Sequence, residues 1–192
     1  MNYIVKPLSP ELAETFTKYL GELDFGHAPH WAGCFCNFYY SDCSYDVWMD
    51  RTGTENRTMA VENIKNGTMH GYLAFDGGKC IGWCSANNVQ RFLRIKEQAE
   101  PVVKDKKVGC VICFVIHPEY RGQGVARLLL KKAVAGFSEQ GFDAVISIPV
   151  KNVDTPEKQY RGTFNMYREL GFSEVESGDD YSVMWLALQN KS

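Results

Sequence analysis

Apolar residues along the chain recur either every second position or every third to fourth, and these blocks alternate. Tyr3–Pro7 alternates like a short first strand. Ser9 and Pro10 then read as a helix start, with Ser9 as the cap and Pro10 as the first helical residue. That helix runs to about Leu20, and Leu8, Leu12, Phe16 and Tyr19 share one face. A second helix is capped by Thr52 or Thr54, turns Ala60 and Ile64 inward with Val61 beside them, and ends at Lys65–Asn66–Gly67. His70–Phe75 and Lys79–Ser85 form a hairpin across Asp76–Gly77–Gly78. Asn87–Lys107 is polar and interrupts the strands; a short helix within Val89–Gln98 is ended by Pro101.

The C-terminal half is more regular. Val108–Ile116 is a long apolar strand and Pro118–Gln123 a turn. Val125–Gln140 is a helix whose inward stripe is Val125, Leu128, Leu129, Ala133 and Phe137, and Gly141 stops it. Ala144–Pro149 is a strand, Lys151–Lys158 a polar connection, Gly162–Leu170 a short helix and Tyr181–Leu188 the final strand. This succession predicts a mixed α/β domain. Gly21–Gly53 has neither period. It is rich in aromatic and cysteine residues and reads as a partly helical loop packed over the core, at a substrate pocket.

Composition narrows the class. A chain of 192 residues holds one domain, spanning 1–192, with a substantial core. Its 45% hydrophobic and 23% charged residues are ordinary for a soluble protein. A net charge of −2 without a Lys/Arg stripe argues against nucleic acid as partner. No apolar run reaches transmembrane length, and the first residues lack a secretory leader, so the expected location is the cytoplasm. Seven cysteines, an odd number, are then expected to be reduced thiols.

Candidate chemistry centres on His117-Pro118-Glu119-Tyr120-Arg121-Gly122-Gln123-Gly124-Val125-Ala126, between an apolar strand and an apolar-faced helix. Gly122 and Gly124 permit a tight turn and close ligand approach. Unpaired N–H groups at the helix start can bind phosphate oxygens, and Arg121 either adds a charge-assisted bond or points to solvent. The spacing is not that of a nucleotide P-loop, because no Lys-Ser or Lys-Thr follows.

Cys110–Gln140 resembles the acetyl-CoA motif of the GNAT superfamily of N-acetyltransferases, through Arg121-Gly122-Gln123-Gly124-Val125-Ala126 after the Val115–Pro118 strand end. Asn165-Met166-Tyr167-Arg168-Glu169-Leu170-Gly171-Phe172 is similar to that family's closing helix, and Gly82-Trp83 to one of its strands. Trp31 before the close pair Cys34 and Cys36 resembles a poorly characterised branch. The resemblance covers most of the chain, least of all Gly21–Gly53. It implies a mixed, mostly antiparallel central sheet flanked by helices, splayed between the strands ending at Ile116 and Pro149. It implies acetyl-CoA as donor, held by backbone groups of Val115 and His117 on the pantetheine arm. Arg121, Gly122, Gln123, Gly124, Val125 and Ala126 would surround the pyrophosphate, and Asn152 would contact the cofactor further along. Tyr167 stands where relatives place the general acid; a tyrosine with its hydroxyl on a backbone carbonyl is the alternative. Phe172 would lie in the core behind the cofactor. The expected partner is a small-molecule amine rather than a protein amine, and a homodimer is compatible with the family.

Acetyl transfer requires a neutral amine, a polarised thioester carbonyl and a proton for the leaving sulfur. Several family members have a glutamate at the start of the strand before the phosphate turn; Val108, Gly109 and Cys110 stand there in this chain. That leaves a water chain, a residue such as Glu22, Asp24, His27 or His30, or an amine already neutral. Histidine is a residue type suited to base chemistry, but the place of His117 before Pro118 favours a backbone role. His27, His30, Cys34, Cys36 and Cys43 are metal-ligand types, but Cys34-Phe35-Cys36 has too short a spacing for a zinc knuckle, so no metal is expected. Simple alternation puts Cys110 and Cys113 on opposite faces of their strand. Trp31, Phe35, Phe38, Tyr39, Tyr40 and Trp48 form either an acceptor pocket, apolar or cation-binding, or a satellite core. A non-catalytic CoA-binding regulatory module and a metal- or redox-responsive interaction protein are the competing functions.

Overall fold

The computed structural model describes residues 2–26, 28–153 and 155–189. Among these residues seven strands make one sheet: β1 (Ile4–Pro7), β2 (Gly71–Asp76), β3 (Lys79–Asn88), β4 (Val108–Ile116), β5 (Ala144–Ser147), β6 (Ser173–Ser177) and β7 (Ser182–Ala187). Their order is β1-β2-β3-β4-β5-β7-β6. Only β4 and β5 run parallel; every other pairing is antiparallel. The expected mixed, mostly antiparallel sheet flanked by helices is the observed fold.

Among the described residues six α-helices flank it: α1 (Ala13–Glu22), α2 (Tyr45–Met49), α3 (Gly53–Lys65), α4 (Lys96–Val103), α5 (Val125–Glu139) and α6 (Phe164–Arg168). One face of the sheet packs on α5 and α6, through Val111 and Phe114 of β4, Val125, Leu129, Leu130, Ala133 and Phe137 of α5, and Met166 and Tyr167 of α6. The other face is covered by α1 and α3 at one end and by α4 with its flanking turns at the other. Full burial of a side chain such as Leu129 or Leu130 stabilises by roughly 1.5–3 kcal/mol, so this two-sided core fixes where β4 lies.

Local chemistry explains most boundaries, and several departures. Thr52 and Glu55 form a reciprocal capping box at the start of α3. The hydroxyl of Ser9 makes no capping bond; a 3-10 turn over Pro10–Leu12 comes first and α1 begins at Ala13. Leu128 is half-buried and Leu130 fully buried, because the α5 stripe is wider than a single row. Pro101 lies inside α4 rather than ending the helix. It faces solvent, and burial of Ile95, Ala99 and Val103 offsets the one backbone bond it forfeits. Strand β3 runs on to Asn88. Gly162 lies outside α6, which Thr163 caps. The edge strand β6, Ser-Glu-Val-Glu-Ser, is exposed throughout and gives no apolar alternation to read.

Strand β4 carries the decisive irregularity. Ser85 pairs with Cys113 but Ala86 pairs with Val111, so Ile112 is an extra residue on β4. This bulge changes the parity of the strand. Val111, Phe114 and Ile116 face α5, whereas Cys110, Ile112, Cys113 and Val115 face the other side. The expectation that Cys110 and Cys113 lie on opposite faces is thereby corrected.

Candidate active site

Strand β4 pairs with β5 only over Val108–Cys110. Beyond that point Ser147 donates from its hydroxyl to the Val111 carbonyl at 2.8 Å, and the remainder of β4 runs unpaired on that side. The opening continues into a cleft of about 290 Å³ lined by Phe114, Val115, Ile116, the turn Tyr120–Gly122, Gly124–Arg127, and Gly162, Thr163 and Met166.

The glycine turn forms one end of this cleft. Gly122 and Gly124 have φ of +72° and +81°, and nothing lies within 4 Å of where a Cβ would stand on either. No side chain caps α5, so its first N–H groups have no side-chain acceptor. The Nε of Arg121 donates to the Ile116 carbonyl at 3.3 Å, holding the guanidinium at the rim. Gln123 braces the turn from outside: it accepts from the Tyr3 hydroxyl at 2.7 Å and donates to the Glu119 carbonyl at 2.7 Å. Arg127, which the motif does not single out, lines the cleft and makes a two-pronged ion pair with Glu169 at 2.6 and 3.1 Å.

Which backbone groups of β4 are available follows from the ladder. The His117 N–H donates to Ile81 at 3.0 Å, and the Val115 carbonyl accepts from the Tyr19 hydroxyl at 2.9 Å. Hydrogen-bonding direction alternates along an antiparallel strand. The groups of Val115 and the N–H of His117 therefore point towards β3 and α1, the His117 carbonyl accepts from the Tyr120 N–H at 2.9 Å, and the groups of Phe114 and Ile116 point into the cleft. The Val115 carbonyl and His117 N–H, expected at the pantetheine arm, are thus engaged away from the cleft.

A second cavity, about 240 Å³, opens on the other side of β4. Its walls come from the segment without periodicity: Trp31, Cys34, Phe35, Cys36, Phe38, Tyr39, Tyr45, Trp48 and Met49, with Cys113, Val115 and Tyr160 opposite. The segment contains two 3-10 turns and α2. It is anchored by long-range polar bonds rather than by a helical stripe. Trp83 donates its indole N–H to Cys36 Sγ at 3.2 Å, and that sulfur lies 3.6 Å from Cys113 Sγ. Hydrogen bonding to Cys113, together with burial, holds the Cys36 thiol well above its ordinary pKa. Arg94 donates to the carbonyls of Phe38 and Cys43 at 2.9 and 2.8 Å. Phe35 and Cys36 both have positive φ, +44° and +55°, a strained conformation for side-chain-bearing residues.

The two cavities share Phe25, Trp31, Val115 and Tyr160. At this junction the Nε of Arg161 donates to the Tyr39 hydroxyl at 3.1 Å, and Tyr39 in turn donates to the Tyr160 hydroxyl at 3.1 Å. Tyr160 thus accepts one bond and keeps its own proton to give. Trp31 packs edge-on against Tyr160 with centroids 4.9 Å apart.

The sequence profile of the Acetyltransferase (GNAT) family matches residues 31–172. The chain belongs to this family. No curated protein sequence matches it. Among solved structures, the fold is similar to a GNAT-family acetyltransferase from Streptococcus pneumoniae, with TM-score 0.56 and 16% identity over 98% of this chain and 100% of that one. It is similar to the ribosomal-protein-S5-alanine acetyltransferase of Vibrio fischeri, with TM-score 0.59 and 16% identity over 100% and 96%. It is also similar to the polyamine N-acetyltransferase of Drosophila melanogaster, with TM-score 0.60 and 10% identity over 97% and 100%.

Other expected site residues of this GNAT chain lie away from the junction. Tyr167 is fully buried, and its hydroxyl donates to the Arg161 carbonyl at 2.5 Å. Burial pushes its pKa up. Phe172 packs on its ring at 5.3 Å. Asn152 is exposed with φ of +52° and borders neither cavity. The His117 imidazole stands beside Glu119, at 3.7 Å, and Tyr120. Glu22 and Asp24 are exposed and line neither cavity; His27 and the side chain of His30 lie outside the described residues. Among the described residues no group of three or more His, Cys, Asp or Glu could hold a metal ion, and no helix is long and apolar enough to cross a membrane.

Proposed function

We propose that this chain is an acetyl-CoA-dependent N-acetyltransferase acting on the primary amine of a small molecule, by direct attack in a ternary complex. The observation that carries the reading is the meeting of two cavities at Val115 and Tyr160, one ending on an uncapped helix and the other walled by aromatic rings. The glycine turn fits a pyrophosphate: Gly122 and Gly124 leave open the space that a Cβ would enter. Arg121 and the first N–H groups of α5 hold the phosphates, and Phe114 and Ile116 offer backbone pairing to the pantetheine arm.

Acetyl-CoA supplies the acetyl thioester. The new C–N bond forms as the C–S bond breaks, and the proton lost from nitrogen is balanced by one delivered to sulfur. Tyr160 delivers that proton. Its hydroxyl already accepts from Tyr39, so its own hydrogen points to a new acceptor, and the Arg161 guanidinium behind the pair stabilises the charge left on the phenols. Tyr167 would first have to leave the Arg161 carbonyl; in this reading it supports the wall. A reducing cytoplasm is the matching compartment for seven free thiols.

Calorimetric titration with acetyl-CoA tests the reading. Saturable one-to-one binding, weakened at least tenfold in Arg121→Glu, is expected, followed by thiol release when an amine is added. No binding by the folded chain at millimolar ligand would remove the reading. Binding without turnover across a broad amine panel would leave a CoA-responsive regulatory module.

A further inference from the structure

The cavity behind β4 has an unusual electrical character for a site that receives an amine. No described residue lining it is Asp, Glu, Lys, Arg or His. Four of its rings are not open to a further cation, because protein cations already lie over them. The Arg94 guanidinium lies 4.3 Å from the Phe38 centroid and 6.0 Å from that of Trp48. Arg51 lies 5.5 Å from Trp48. Arg161 lies 5.5 Å from Tyr39 and 5.7 Å from Tyr160. Four rings of the wall are therefore backed by three arginines.

Resting on the acetyltransferase reading, we infer that the acceptor carries a single amine on an uncharged apolar or aromatic body, an aralkylamine or a short alkylamine, and that polyamines and aminoglycosides are rejected. An ammonium entering this cavity loses hydration and meets a positive background, and both favour the neutral form. The pocket thus raises the fraction of amine able to attack, which is the task a carboxylate base performs elsewhere. A second ammonium on the same molecule would face the same penalty with no reaction to offset it. The body of the acceptor meets Phe38 and Trp48, fixed edge to face with centroids 5.2 Å apart, a geometry that continues onto a flat ring. The lip is apolar too: Tyr45 and Met49 of α2 line the cavity and are 62% and 52% exposed.

The test is thiol release from acetyl-CoA with four amines: 2-phenylethylamine, hexylamine, spermidine and kanamycin. A kcat/KM for 2-phenylethylamine or hexylamine at least tenfold above those of the two polycations is expected. Met49→Glu, a change on the exposed lip, should narrow that ratio at least tenfold by attracting spermidine. Equal or greater turnover of spermidine or kanamycin would overturn the inference. So would tight acetyl-CoA binding with no reaction of either monoamine, an outcome that leaves the cofactor reading in place. If acetyl-CoA itself does not bind, calorimetry with 2-phenylethylamine alone still decides: saturable binding that spermidine does not displace supports the pocket's chemistry, and no binding refutes it.

Discussion

Replacing Gly162 with alanine tests the wall shared by the cleft and the core. Gly162 has φ of +80° and ψ of 174°, a region essentially closed to residues with a Cβ, where a side chain costs about 1–3 kcal/mol. The added Cβ would stand 2.5 Å from Met166 Cε, 2.7 Å from the Tyr167 hydroxyl and 3.0 Å from its ring carbon. The end of Met166 can swing aside, but the Tyr167 ring is packed against Phe172. Its hydroxyl would be forced off the Arg161 carbonyl, forfeiting a hydrogen bond worth about 0.5–1.5 kcal/mol. The expected loss is about 2–4 kcal/mol, seen in urea titration as a lower midpoint at unchanged slope, and in heating as a Tm lower by about 5–15 °C. Gly67→Ala is the control. Gly67 has φ of +74° with nothing within 4 Å of a Cβ, so only backbone strain of about 1 kcal/mol applies. If Gly162→Ala is no more destabilising than Gly67→Ala, the packing of Tyr167 beneath Gly162 is wrong.

Three further outcomes follow from the same geometry. Tyr160→Phe should lower kcat by roughly 10²-fold or more while acetyl-CoA affinity stays within twofold, whereas Tyr167→Phe should cost about 1 kcal/mol of stability with kcat within a few-fold; the reverse ranking in steady-state kinetics would return the acid role to Tyr167. Arg94→Ala should raise the KM for the amine about tenfold or more, because it frees the Phe38 and Cys43 carbonyls, each bond to a charged donor being worth about 1.5–3 kcal/mol; an unchanged KM would mean that Arg94 does not set the wall. Burial pushes the Cys80 thiol up to about 11 and the Cys34 thiol up to about 12. A folded-state pKa above the unfolded value of about 8.5 means that the unfolded chain ionises first. The stability they contribute is thus complete below about pH 8.5 and lost as pH rises towards 11 and 12; urea midpoints that rise between pH 8 and 10 would contradict this.

The parts of the fold legible in the sequence are those whose burial repeats with a period. Strand β4 and helix α5 declare themselves because one face of each lies in the core, and the glycine turn between them because φ above zero restricts residue choice. The edge strand β6 was invisible because pairing with β7 holds it while its side chains stay in water. The bulge at Ile112 was equally invisible, since one inserted residue leaves composition unchanged but reverses parity. It sets both the side that Cys113 occupies and which carbonyls of β4 face the opened cleft. Tyr160 carries no local sequence signal because its contacts, Tyr39 and Trp31, lie more than 120 residues away.

Gly21–Gly53 is illegible for a related reason. A periodic element advertises its core face because neighbouring turns bury the same side repeatedly. This segment instead buries Phe35, Cys36 and Tyr39 by bending its backbone through two successive left-handed residues, at a cost of order 1–3 kcal/mol for each. What offsets that cost comes from elsewhere in the chain: the Trp83 indole on Cys36, Arg94 on Phe38 and Cys43, and Asn63 on Asn37. The strain lies where the segment walls the second cavity, and relaxing it into a regular helix would remove Phe35 and Cys36 from that wall. The turn's position is accounted for if the segment's task is to shape an aromatic chamber against β4.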